Sequence, residues 1–250
     1  MNLFYAFFYR RLIYISHNWI GELSIAFFLP IGIFITLGFG LSDSIPSLNY
    51  VSKLSWLIPG IVLIISFSGA LITIFNDVAK HKQFSGIYGS LYVSPSTSSE
   101  SVFAIILSVL PEGIIRSLFA FIILQLIIGN TFPIIGQISF LLFIIVSILI
   151  GSSIGLVLGV LSKNNLSNQL VIILILLSLG FFSGWFVPLN IFPESIHTIL
   201  TILPTTILGE YSRGVLFQRE IPFSLFFIPI ASIIMLVFLN IFLFSRISTE

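Results

Sequence analysis

Few residues in this chain carry chemistry, so each can be weighed singly. Gly151-Ser152-Ser153-Ile154-Gly155 fits the G-x-S-x-G pattern of a serine nucleophile elbow. An elbow needs a sharp strand-to-helix turn, whereas these residues stand inside a long apolar run. Gly151, Gly155 and Gly159 recur every four residues, and on a helix that spacing makes a small-residue stripe for close packing. Packing is therefore the expected role, not catalysis. His17, His81 and His197 are scattered and no H-E-x-x-H is present, so no metal site is expected. No G-x-x-x-x-G-K-[ST] loop occurs, so the chain is not expected to hold nucleotide phosphates itself. Cysteine is absent, which removes disulfides and thiolate chemistry.

Two pairs of opposite charge remain. Glu112 and Arg116 are four residues apart, just after Pro111 and inside an apolar run. Ionisable groups at membrane depth are costly and face a bundle interior or water, and four-residue spacing puts these two on one helix face. Three readings stay open: a self-neutralised pair bracing a proline-kinked helix, a direct role in substrate passage, or a helix that begins later and leaves both charges near the surface. Glu210 and Arg213 are three apart and share a face of a short helix.

Composition says what must position these groups. The chain is 57% hydrophobic and 8% charged, with a mean hydropathy of +1.17. A soluble domain carries about 25% charge, so most of this surface must face lipid. The net charge of +1 gives no footprint for nucleic acid. The 27 phenylalanines suit lipid contact and interhelical packing. An all-α integral membrane protein is the expected class.

Residues 2–21 alternate aromatic and apolar residues with Arg10, Arg11, His17, Asn18 and Trp19. The charges follow the apolar stretch, which makes a poor secretory signal; a helix over 1–22 lying in the interface, arginines among the headgroups, is expected. Six runs long enough to cross about 30 Å of hydrocarbon follow. They lie at Leu23–Leu41, Leu54–Phe75, Val102–Ile128, Ile134–Leu161, Leu170–Val187 and Phe223–Phe244. Six crossings place both termini on one face, with Arg10, Arg11, Lys80, Lys82, Lys163 and Arg246. Lys53, Arg213 and Arg219 fall on the other. The positive-inside rule makes the first face cytoplasmic, in the plasma membrane. Asn165-Leu166-Ser167 reads as a glycosylation sequon, but this topology keeps it inside.

Two polar interruptions stand out. Residues 77–100 hold Lys80, His81 and Lys82, then a helix-compatible stretch from Phe84 to Tyr92, closed by Ser94-Pro95-Ser96 because proline cannot continue a helix. A short helix with basic flanks between two spans could offer a cytoplasmic partner a docking point; the alternative is a solvated loop. Residues 188–222 hold Pro188, Pro193 and Pro204, which break apolar segments too short to span. Irregular backbone cannot face lipid, so a re-entrant hairpin tucked into the outer bundle is expected.

The order of these features resembles the type-2 ABC exporter permeases. The resemblance rests on Pro59-Gly60 at the head of the second span, on Gly86, Leu91, Ser94 and Pro95 in the central loop, and on Ser183-Gly184, Pro188, Pro193, Pro204 and Glu210-x-x-Arg213-Gly214. It covers essentially the whole chain as one permease domain, 1–250. The loop departs from the family in the uncharged Gln83, Ser85, Gly89 and Ser90. The resemblance implies an ABC transporter half. It implies a second permease copy, as a homodimer or a heterodimer, and two cytoplasmic ATP-binding cassette subunits that bind ATP and magnesium. It also implies a coupling helix carrying Lys82, Phe84, Gly86, Tyr88, Leu91, Ser94 and Pro95. A dimer contact through the first and fifth spans, with Ser178, Gly180, Ser183 and Gly184, is expected. The hairpin of Pro188, Pro193, Pro204, Glu210 and Arg213 would close the pathway externally. Aromatic walls favour a hydrophobic or amphipathic substrate such as a drug, a lipid or a lipid-linked glycan. Two other classes compete: a membrane-embedded lipid-modifying enzyme, which would need more convergent polar residues than Glu112 and Arg116, and a non-transporting assembly subunit. Copurification with an ATPase discriminates them.

Overall fold

The computed structural model describes residues 3–40, 52–83, 97–129, 132–162, 165–219 and 223–247, and every regular element among them is helical. In order these are α1 (Leu3–His17), α2 (Trp19–Gly40), α3 (Lys53–Gln83), α4 (Ser98–Ser108), α5 (Leu110–Ile128), α6 (Ile134–Leu161) and α7 (Asn165–Phe182). A 3-10 turn (Leu189–Ile191), α8 (Glu194–Leu200), α9 (Pro204–Leu216), a second 3-10 turn (Phe223–Phe226) and α10 (Phe227–Ile247) complete the chain.

Five segments among the described residues are long and apolar enough to cross a membrane: α2, α3, α4 with α5, α6, and 224–246 around α10. The fifth of the six expected spans corresponds to α7, whose apolar part, Asn168–Phe182, is shorter than the others. It stops before the expected Val187 because the chain turns at Gly184, whose φ of 69° lies in the left-handed region that glycine adopts without strain. The expected third span, Val102–Ile128, is two helices. Pro111 has no N–H to offer the preceding turn, so the ladder breaks at Val109; Ser108 Oγ donates to the Ile105 carbonyl at 2.7 Å and Gly113 N–H to the Val109 carbonyl at 2.9 Å. Thr97 starts α4 with a reciprocal cap: its hydroxyl accepts from Glu100 N–H, and the Glu100 carboxylate accepts from Thr97 N–H. The second span is longer than expected. α3 runs 31 residues to Gln83, about 46 Å at 1.5 Å per residue, well beyond the hydrocarbon core.

The core is the contact of α3 with α6, the most extensive in the bundle. The glycine stripe of α6 makes it: a Cβ at Gly151 would stand 2.4 Å from the Phe67 carbonyl oxygen, and one at Gly155 2.5 Å from that of Leu71. At Gly159 it would meet the Val78 side chain at 2.7 Å. No larger residue fits, so the two backbones touch. Ser147 Oγ donates across the seam to the Leu63 carbonyl at 3.1 Å. Ser152 and Ser153 are buried within α6 and donate to the Leu149 carbonyl, which leaves no strand-to-helix elbow at this serine. Around this pair, α10 packs on α6 and α4, α2 on α5 and α3, and α1 on α4. Asn240 of α10, fully buried, donates to the Ser153 carbonyl at 3.0 Å. The outer faces of α2, α7 and α10 display Phe28, Leu174 and Phe238, as a lipid-facing surface requires.

Gly155→Leu is expected to push α3 and α6 apart and destabilise the protein by about 1–3 kcal/mol or more. Gly21→Leu, where an added Cβ meets nothing within 4 Å, should be neutral. Thermal unfolding of the two variants in detergent distinguishes them.

Candidate functional site

Two arginine-centred sites occupy opposite ends of α3. At the end where α1 lies, Glu112 stands in the first turn of α5, where the helix dipole favours an anion, and Arg116 follows one turn later. They pair as their spacing predicts, Arg116 Nη2 to Glu112 Oε1 at 2.5 Å. The pair is not self-contained. Arg116 also bonds Glu22 of α2, and the second Glu112 oxygen takes Arg11 of α1. Arg11 reaches Asp77 of α3 at 3.2 Å, and Arg10 reaches the same oxygen at 3.0 Å. Three cations and three anions therefore neutralise one another across four helices. Gly69 makes room for the Arg116 guanidinium, which would lie 3.0 Å from a Cβ there.

Burial alone would lower the affinity of Arg11 for its proton, but the hydrogen bond and charge of Glu112, with Asp77 and Glu22 behind, hold it above its ordinary value. The expectation that both N-terminal arginines lie among headgroups is thus corrected for Arg11, which is buried against carboxylates that the apolar context of α5 cannot leave unpaired. The network forms a wall between two cavities. One of about 280 Å³ is bordered by Ser68, Thr73 and Asp77 as well as Arg11 and Arg116. The other, about 290 Å³, has apolar sides from Trp19, Leu23, Ile115 and Phe119.

At the other end Arg213 of α9 is the centre. Its guanidinium lies 3.7 Å from the Trp56 ring centroid, and its Nη2 donates to the carbonyls of Gly184 at 2.7 Å and Trp185 at 3.1 Å. These are backbone groups left open where α7 ends and the chain turns. Trp185 is wholly buried and donates to the Thr205 carbonyl at 2.9 Å. Gly60 admits it: a Cβ there would stand 2.0 Å from the Trp185 carbonyl oxygen. Ser183 and Thr205 hydroxyls meet at 2.6 Å. Pro59-Gly60, Ser183-Gly184 and Arg213, far apart in sequence, thus form one joint. Arg213 also bonds Glu210 at 3.2 Å, but its side chain is 4% exposed and that of Glu210 56%. Burial pushes the Arg213 guanidinium down to about 10 against the pull of Glu210, so it remains charged at neutral pH.

The hairpin prolines act as punctuation: Pro188 precedes the first 3-10 turn, Pro193 precedes α8, and Pro204 opens α9. α9 is buried against α6, α3 and α10, whereas α8 is largely exposed. Of the four residues expected at a dimer contact, Ser178 is exposed, but three face their own chain. Gly180 meets Phe186, Ser183 bonds Thr205 and Gly184 meets Leu189. The short turn after α7 folds back on that face and occupies it. Lys82 lies within α3; Phe84, Gly86, Tyr88, Leu91, Ser94 and Pro95 lie outside the described residues.

The ABC-2 type transporter family profile matches residues 2–217. The chain belongs to that family. The match covers α1 through α9 and stops at Phe217, before α10. No curated protein matches the chain. The ABC-2 assignment makes it the transmembrane subunit of an ABC transporter and a multi-pass membrane protein; subunits of this family usually work with ATP-binding cassette partners.

The asymmetry of the Arg213 site sets its mutational response. Arg213→Gln is expected to cost about 3–5 kcal/mol, because open carbonyls lose their donor and Trp56 its cation. Glu210→Gln, at an exposed partner, should cost less than about 1 kcal/mol. The double variant should behave like Arg213→Gln, with no rescue, in thermal unfolding.

Proposed function

We propose that this chain is one half of an exporter: two copies around one pathway, each seated on a cytoplasmic ATP-binding cassette subunit that binds ATP and magnesium. The exported substrate is hydrophobic or amphipathic, a drug, a lipid or a lipid-linked glycan. Both termini and residues 77–100 face the cytoplasm, as the lysine and arginine bias favours. The observation that carries the reading is the continuity of α3. One unbroken helix runs from Trp56, under the Arg213 joint, past Asp77, in the Arg11 network, to Gln83. It then leads directly into the segment 84–95 proposed as the coupling helix. A push delivered there by an ATPase reaches α1 and α5 through Asp77, Arg11 and Glu112, and reaches the hairpin through Trp56 and Arg213.

The cavities on either side of the network support an amphipathic substrate. One offers charged and hydroxyl groups, the other apolar side chains open to the bilayer, and Glu22 and Arg116 border both. The exposed apolar faces of α2 and α7, not Gly180 or Ser183, are the surfaces available to a second copy.

Two variants test the reading on the chain reconstituted with its copurifying ATPase. Tyr88→Pro should break the coupling helix, abolishing substrate-stimulated ATP hydrolysis and export while insertion survives. Unchanged transport in that variant would overturn the coupling assignment. Glu112→Gln should leave Arg11 and Arg116 undercompensated, at a cost of about 3–5 kcal/mol. It should also lower the number of substrate molecules exported per ATP hydrolysed.

A further inference from the structure

A third cavity, of about 410 Å³, lies at the Arg213 end between the start of α3, the first 3-10 turn and the hairpin helices. Its volume falls in the range of small-molecule sites. Trp56 and Tyr211 give it aromatic walls, and Asn190, Glu210 and Arg219 bring an amide, a carboxylate and a guanidinium. One further wall residue, Thr206, is 2% exposed, and its hydroxyl has no hydrogen-bond partner among the described residues. A buried hydroxyl without a partner is unfavourable, and none is offered among the described residues.

The polar groups are not arranged for a single charge. Glu210 gives its Oε1 to Arg213 and has a second oxygen to offer. Arg219 is exposed and makes no ion pair among the described residues. It is aimed by the end of α9, where Gln218 adopts φ 55° and Arg219 N–H closes on the Gly214 carbonyl at 2.8 Å. The Glu210 carboxylate disfavours an anion, and the Arg219 guanidinium disfavours a cation. Hydroxyls both donate and accept, so a group dense in them satisfies all of these partners at once.

We infer that this cavity binds a saccharide-type polyhydroxylated group, either a free sugar or the headgroup of a glycolipid, at the end of the protein opposite α1. In the export reading this is the external face, and the site would hold the polar part of a substrate as it leaves. The inference rests on that reading only for its place in the transport cycle.

Binding is measured on the full chain in lipid nanodiscs without the ATPase, by tryptophan fluorescence and thermal shift. A failed export assay therefore leaves the result intact, and a failed binding assay leaves export intact. The probes are maltose and N-acetylglucosamine in solution and monogalactosyl diglyceride in the nanodisc, with phosphocholine and inorganic phosphate as contrasts. At least one sugar-bearing probe should give a saturable response. Response to the free sugars identifies a soluble ligand; response to the galactolipid alone identifies a lipid headgroup. Thr206→Val is nearly isosteric and removes a hydroxyl that has no partner among the described residues. It should leave the unliganded melting temperature unchanged or raised while weakening the sugar response about tenfold, the worth of one hydrogen bond. Glu210→Gln, at an exposed position, should weaken it as well and guards against a folding defect in the first variant. The inference is overturned if no sugar-bearing probe responds, if phosphate or phosphocholine responds instead, or if both variants bind sugar like the parent chain.

Discussion

The approach of α6 to α3 governs this structure. With glycine at 151 and 155, carbonyl oxygens of α3 sit where side chains would otherwise stand, and at 159 the Val78 side chain does, so van der Waals contact runs the length of the seam. In lipid there is no hydrophobic gain from pairing two apolar helices, so such contact and a few interhelical hydrogen bonds must supply the affinity. α3 is thereby fixed as the buried axis, and both arginine sites are built on its ends. Displacing the seam would move Asp77 relative to Arg11 and Trp56 relative to Arg213 together.

The two sites solve the same problem differently. Glu112 and Arg116 are neutralised by other ionised side chains drawn from α1, α2 and α3, and this arrangement depends on those helices keeping their relative positions. Arg213 is neutralised in the main by backbone carbonyls and an aromatic ring, which belong to a turn that could not otherwise be buried. The first site reports on helix positions; the second fastens a turn to a helix.

Class, most helices and the role of the glycine stripe were legible in the sequence, because hydropathy over 20 residues and a four-residue glycine repeat are local signals. Pro111 was visible, but the break it makes in the third span was not expected, since a proline can kink a membrane helix without ending a segment. The Glu112–Arg116 pair was legible for the same local reason. Its extension to Arg11, Asp77 and Glu22 was not, because their separations of 66 to 101 residues follow from how the helices pack. Glu210–Arg213 misled in a related way: a three-residue spacing announces a pair, yet the partners that bury Arg213 are carbonyls at 184 and 185, which no side-chain pattern encodes. Gly60, which admits the Trp185 backbone, and Gly209, which admits its ring, could have signalled that joint, but only to a reader who knew that they meet.

The distance between the two arginine sites has a consequence for the surrounding membrane. From Trp56 to Asp77 is 21 residues of continuous helix, about 31 Å, close to the thickness of a bilayer's hydrocarbon layer. Because α3 is unbroken and clamped along its length, this spacing cannot shorten or stretch to suit a different lipid. The protein acts as a ruler. Each ångström of mismatch costs a fraction of a kcal/mol, met by tilt or by deformation of the lipid. The same bundle will therefore sit differently among short and long acyl chains, and lipid length becomes an input to how readily its two ends move.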